Sequence, residues 1–427
     1  VFSYGADINN SSPLIALLAG RIGVIGVLRV NSQSTTAGKG GKITIEGDDE
    51  VVIANATITA NGFDGGEVEI ISLNGNVNIT QSYIQTNGGQ GRGGAISVAG
   101  LQQTTLTATT LEATGYTQGG KILIGNDASN GTLPFSLITS LDKNTVLNTQ
   151  ALNPSSQLGG FIETSGHTLN QLATINAGRG GMWLLDPYDI IIADTVSGTA
   201  YSSSFTAGQI SYIRASDIVA SLNANTNVSI TTGSSTANTI AVYTAITATS
   251  GSASLTLTGG TIALSASITT FGSQIYNGNL YIAAPNVTLT SNNGDVTVNG
   301  NIQNYSNPIT VSTSGWYMSI LTGEGYATST GVLVGDILLK WTGSNFTFTT
   351  PNAQTYSYLV VGGGGGGVNS CNCYNGGGGG GGGGVIASSQ SFSANTTYTI
   401  SVGVGGSSST AGGSTSLSGS GISTVTA

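Results

Sequence analysis

The chain has 427 residues and a formal net charge of −9, and only 7% of its residues are charged, against about 25% in an average soluble domain. Ten Lys plus Arg spread over that length make no basic stripe, which argues against nucleic acid as a partner. Disorder requires low hydrophobicity with high charge, and a chain that is 38% hydrophobic with few charges is able to fold.

The first predicted element is the apolar stretch 14–28. It is short for a membrane span and carries Arg21 near its middle, which is costly in lipid. It reads as two buried strands of a first coil, so no membrane span is expected.

Six times a Gly-Gly pair launches a β-type run, the pairs starting at Gly40, Gly65, Gly93, Gly119, Gly159 and Gly180, with steps of 25, 28, 26, 40 and 21 residues. The runs include Lys42-Ile43-Thr44-Ile45 and Glu67-Val68-Glu69-Ile70. Steps of this length match one coil of a stacked β-solenoid, in which a coil buries its apolar face only against its neighbours. The alternation assigns Ile43, Ile45, Val68, Ile70, Ile96, Val98, Ile122 and Ile124 to stacked core rows. The long step, about 119–159, contains Pro134 and Pro154 and reads as a coil with a looped-out insertion. Residues 1–195 therefore form a β-solenoid of Gly-Gly-led coils.

Residues 196–312 keep the alternation but lose the regular Gly-Gly mark, as in Asn227-Val228-Ser229-Ile230-Thr231, and are expected to continue the solenoid. Ala215 to Leu222 is the one helical stretch, expected to cover a solenoid edge. Residues 313–349 are richer in aromatics and read as a small β transition unit. Residues 350–427 form a glycine-rich module. Gly362 to Gly367 is a run of six glycines and Gly376 to Gly384 a run of nine. Apolar β segments such as Tyr356-Ser357-Tyr358-Leu359-Val360-Val361 bracket them, so the runs read as packed polyglycine II strands. Such a strand turns once in three residues and rises ~3.1 Å per residue, and without side chains it pairs closely with others. Gly362, Gly367, Gly376 and Gly384, the run ends, are the assembly candidates. Cys371 and Cys373 lie between the runs. In an exported protein they suggest a disulfide, but a Cys-x-Cys loop is tight, so pairing between subunits stays open.

Candidate chemistry is sparse. Asp186 and Asp189, with Glu163 one coil earlier, have the residue types that glycoside hydrolysis uses. The competing reading is a turn at Asp186-Pro187 with Trp183, Leu184 and Leu185 packing the core. Asp48-Asp49-Glu50 reads as a solvated loop, and His167, the only histidine, as a coil-corner residue. No catalytic residue, cofactor or metal is expected, and the chain is not read as an enzyme.

The segment from Asn176 to Ile190, containing Gly180, Gly181, Trp183, Leu184, Leu185, Asp186 and Pro187, resembles the Trp-Leu-Leu-Asp-Pro element of large exoproteins of the filamentous haemagglutinin type, exported by two-partner secretion systems. Ala215 to Asn223, the upstream coils and the glycine tail are also similar to parts of such proteins. The family's amino-terminal secretion domain is not recognisable, which implies a processed or partial chain. The resemblance implies a right-handed parallel β-helix, an outer-membrane transporter as partner during export, and an extracellular or bacterial outer-surface location with a role in adhesion or surface assembly. The functional expectation is a secreted structural or adhesive exoprotein that self-associates into a surface fibre, with host or surface glycans as further partners. The alternative is a carbohydrate-binding or carbohydrate-active β-helix.

Overall fold

The computed structural model describes residues 14–31, 38–128, 131–196, 199–200, 210–232, 238–284, 287–300, 302–304, 309–313, 318–321, 331–334, 338–340, 346–350, 353–367, 378–394 and 396–427, with backbone alone between 302 and 350. Among the described residues the chain is all-β apart from one helix. It divides into two compact units: Val1–Ile262 with Thr269–Gln274, and Ala263–Ile268 with Ile275–Ala427.

The first unit is a parallel β-solenoid, and each Gly-Gly pair fixes the same point of the coil. Lys42 pairs with Glu67, Glu67 with Ala95, Ala95 with Lys121, Lys121 with Phe161 and Phe161 with Met182. The six residues that follow the glycine pairs therefore lie in one row despite unequal steps. The register continues from Met182 to Asn227 and from Val228 to Leu255.

Glycine is required at this corner by close backbone approach. A Cβ on Gly65 would lie 1.9 Å from the Thr86 carbonyl oxygen, and one on Gly119 would lie 1.8 Å from that of Thr149. The second glycine of a pair closes the corner: Gly66 N donates to Ala60 O at 2.7 Å and Gly94 N to Thr86 O at 2.7 Å.

Two inward rows run up the first face. One reads Ile43, Val68, Ile96, Ile122, Ile162, Trp183, Val228, Leu255, and the other Ile45, Ile70, Val98, Ile124, Thr164, Leu185, Ile230, Leu257. All are buried, including the eight residues assigned from the sequence. A second face carries 50–54, 76–80, 103–107, 138–141 and 168–171 in register. A third carries Ile58, Ile84, Leu111, Leu147 and Ile175 in one row. In the opening strand Leu14–Arg29, the apolar stretch is only partly buried. Ile22, Val24 and Leu28 are enclosed, while Leu18 and Ile25 face outward.

Above residue 171 the second face takes an extra strand. Gln171 pairs with Ile213, Ile192 also pairs with Ile213, and Ile192 pairs with Val242. A later strand, Ser211–Ile213, thus lies between 168–171 and Ile190–Ile192. The helix Ala215–Asn223 follows it, burying Ala215, Ile218, Ser221 and Leu222. It packs between the third-face strand Thr174–Asn176 and Ile246–Thr247. The helix substitutes for a strand within the stack, where the sequence reading had it covering an edge.

In the second unit parallel pairing continues from Val287 to Ile309, from Ile309 to Gly331 and from Gly331 to Phe348. Parallel order then gives way to antiparallel. Phe346–Thr350 pairs with Thr396–Ser401, which pairs with Ser416–Gly419. A hairpin pairs Gln354–Val361 with Val385–Phe392, and the glycine strands leave its end.

Candidate functional site

The Trp-Leu-Leu-Asp-Pro element is the strand Met182–Asp186 and the corner after it. Trp183 and Leu185 point inward and are fully buried, and Leu184 points outward. A buried indole requires an acceptor. Trp183 Nε1 donates to Thr164 Oγ1 at 2.9 Å, one coil below. Thr164 is the one polar member of an otherwise aliphatic row, and it stands diagonally across from the tryptophan of the neighbouring row. Gly180 has φ +72°, in the region that favours glycine. Asp189 Oδ1 accepts from Thr239 N at 2.7 Å, so this carboxylate ties two coils together and stands apart from the pair below.

Glu163 and Asp186 share one outer face, with Ser165 in register with Asp186. The insertion predicted from the long step covers this face. Leu133 from the insertion packs on Ile71, Ala99 and Leu123, with Phe161 beside them. Glu163 thereby becomes fully buried at an outward position. Its oxygens accept from Ala128 N at 3.1 and 3.2 Å and from Ser165 Oγ at 3.0 Å. Burial raises its pKa to about 7, against these hydrogen bonds, which lower it; the nearby Asp186 and Asp127 charges raise it further. Burial also raises Asp186 to about 6. Asp127 is held by Thr132 Oγ1 at 2.8 Å and lies 3.6 Å from Lys121 Nζ. His167 forms a three-ring cluster with Phe135 and Tyr188, with ring centroids 4.6 and 4.2 Å away, and burial lowers its pKa. Among the described residues, no three His, Cys, Asp or Glu stand together so as to hold a metal. The Gly-Gly corner leaves a shallow depression of about 370 Å³, lined by Arg92, Gln118, Lys121, Phe161 and glycine backbone.

The carboxyl-terminal module has a three-residue logic. Gly362 N donates to Gly384 O and Gly365 N to Gly381 O, at 2.8 and 2.9 Å. Gly363 N and Gly366 N donate to Gly413 O and Thr410 O, both at 2.9 Å. Gly364 O and Gly367 O accept from Gly406 N and Ser409 N, at 2.7 and 3.1 Å. Every third residue of 362–367 thus faces the same neighbour, and three neighbours surround it. That is the repeat of a polyglycine II strand; a β-strand would alternate every two. Close contact enforces glycine here. A Cβ on Gly366 would lie 1.8 Å from Ser407 O, and one on Gly383 would lie 1.9 Å from Gly362 O.

Of the assembly candidates, Gly362, Gly367 and Gly384 make bonds within the module. Gly376, Cys371 and Cys373 lie outside the described residues. Two of the three neighbours of 362–367 come from 403–413, which doubles back on itself and whose glycines are interrupted by Val, Ser, Thr and Ala.

Residues 341–427 match the family model of a glycine-rich domain. No curated protein and no solved structure matches the chain. Among the described residues no helix is long and apolar enough to cross a membrane.

Proposed function

We propose that this chain is a structural, self-associating exoprotein that forms or lines an extracellular surface fibre, with no enzymatic activity. The observation that carries the reading is the glycine module, a close-packed backbone array on a segment that has no Asp, Glu, Lys, Arg or His from Trp341 to Ala427. A surface without charge has weak colloidal repulsion between copies. The stacked coils supply a scaffold whose stability comes from neighbour-to-neighbour burial. The Trp183 element supports a filamentous haemagglutinin-type assignment. With it come export through an outer-membrane transporter, a location outside the cell, and adhesion to surfaces or their glycans. Electron microscopy of the purified full chain tests the reading. Uniform fibres or ordered assemblies support it, and separate particles at every concentration refute it.

The depression at the glycine corner favours a second reading, carbohydrate binding. Arg92, Gln118, Lys121 and Phe161 offer the cations, amide and ring that hold a sugar. Titration with neutral and acidic oligosaccharides decides it. Saturable binding lost in Arg92→Ala supports this reading, and no binding removes it.

A further inference from the structure

We infer that the assembling surface is the outer side of the glycine strand 378–384, and that its occupant is a polyglycine strand of a second copy of this chain. The inference rests on the self-association reading above. The two glycine runs differ sharply in their surroundings. In 362–367 every residue faces one of three neighbours. In 378–384 only one row is packed: a Cβ on Gly380 would lie 1.9 Å from Gly365 O, and one on Gly383 would lie 1.9 Å from Gly362 O. On Gly378, Gly379, Gly381 and Gly382 a Cβ would meet nothing within 4 Å. Four of the seven glycines have no packing reason within the described chain to lack a side chain.

A second observation marks the same region. The strand runs directly into the hairpin, whose outward face carries two apolar cross-strand pairs, Leu359 with Ala387 and Val361 with Val385. Leu359 is 66% exposed and Val385 62%. Adjacent exposed aliphatic pairs of this kind mark contact surfaces on soluble proteins.

Geometry and charge identify the occupant. A polyglycine II strand repeats its backbone groups every three residues, ~9 Å along its axis, whereas a β-strand repeats every two, ~6.7 Å. Only another three-residue strand stays in register along this edge. Within the chain, 362–367 already accepts neighbours in both directions, two antiparallel and one parallel. A further strand in either direction therefore fits. The absence of ionisable charge from Trp341 onward removes the attraction a nucleic acid, an ionic peptide or a charged headgroup would need. The 362–367 strand has neighbours on three sides and 403–413 carries outward side chains such as Val404, so the partner strand is the exposed 378–384 of another copy.

The test uses the full chain and sedimentation equilibrium. Gly379→Ala with Gly382→Ala places two methyl groups in open space, and neither residue has a φ in the left-handed region. A second variant, Leu359→Ser with Val385→Ser, alters only exposed side chains. Both are expected to raise the concentration at half-association about tenfold or more, equivalent to a single lost contact of ordinary strength. Amide exchange of the hairpin 354–361/385–392 is expected to stay at the wild-type rate. If the glycine variant loses that protection, the hairpin variant decides. Wild-type association left unchanged in both variants overturns this surface and leaves self-association standing. A wild-type chain that remains monomeric overturns both.

Discussion

Thr164→Val is the most informative single change in the solenoid. Its hydroxyl is the acceptor for Trp183 Nε1 at 2.9 Å, and both residues are fully buried. Valine keeps the shape and suits the aliphatic row, in which Ile124 and Leu185 are the register neighbours. The variant therefore isolates the hydrogen bond. An unsatisfied buried donor costs about 1–3 kcal/mol, partly offset by the added methyl, so the net loss expected is about 1–2 kcal/mol. Stacked coils need not unfold as one unit, so the assay is native-state hydrogen exchange of residues 161–186 in parallel with denaturant midpoints. A cycle with Trp183→Phe separates the bond from packing. Once the indole is gone, Thr164→Val is expected to cost nothing, giving a coupling energy of about 1 kcal/mol or more. A coupling below about 0.3 kcal/mol, the level of additivity between independent sites, would refute the argument that Thr164 is there for the tryptophan.

Three further outcomes are expected. Glu163 and Asp186 have folded pKa values raised from 4.5 to about 7 and from 3.8 to about 6, so their neutral forms stabilise the fold. That stability is complete below about pH 4 and is lost as pH rises through 6 to 7. Denaturant midpoints across pH 4–8 are expected to fall, and Glu163→Gln is expected to abolish the upper part of the fall while leaving the Asp186 part. Asp194 Oδ1 accepts from Ser216 N and Ser216 Oγ, both at 3.0 Å, capping a helix whose own N-cap is Arg214; Asp194→Ala is expected to cost about 1 kcal/mol, read as faster exchange of the helix amides. Ile70→Ala empties one position in a fully enclosed row and is expected to cost about 2–5 kcal/mol, read as a lowered thermal midpoint.

The coil stack was legible because glycine at the corner and β-branched alternation after it report the same geometry. A corner that leaves less than 2.5 Å for a Cβ admits little else, so the pairs at Gly65, Gly93 and Gly119 serve as register marks. The helix was legible from its 3.6-residue pattern. Its position was not, because the strand Ser211–Ile213 that precedes it inserts out of chain order. The burial of Glu163 was equally hidden. By alternation it is an outward residue, and only the insertion folding back, with Ala128 and Leu133, encloses it. In the module, the runs of pure glycine announced polyglycine II. The doubled-back segment 403–413 shares that packing but carries side chains such as the exposed Val404, so composition alone concealed its role.

The central claim is that the chain associates with itself through its glycine module. Sedimentation velocity of the full chain over a hundredfold range of concentration tests it most directly, at two salt concentrations. The account predicts a sedimentation coefficient that rises with concentration and is insensitive to salt, because no ionisable charge from Trp341 onward is present to be screened. A single monomeric species throughout, or association abolished by salt, would contradict it.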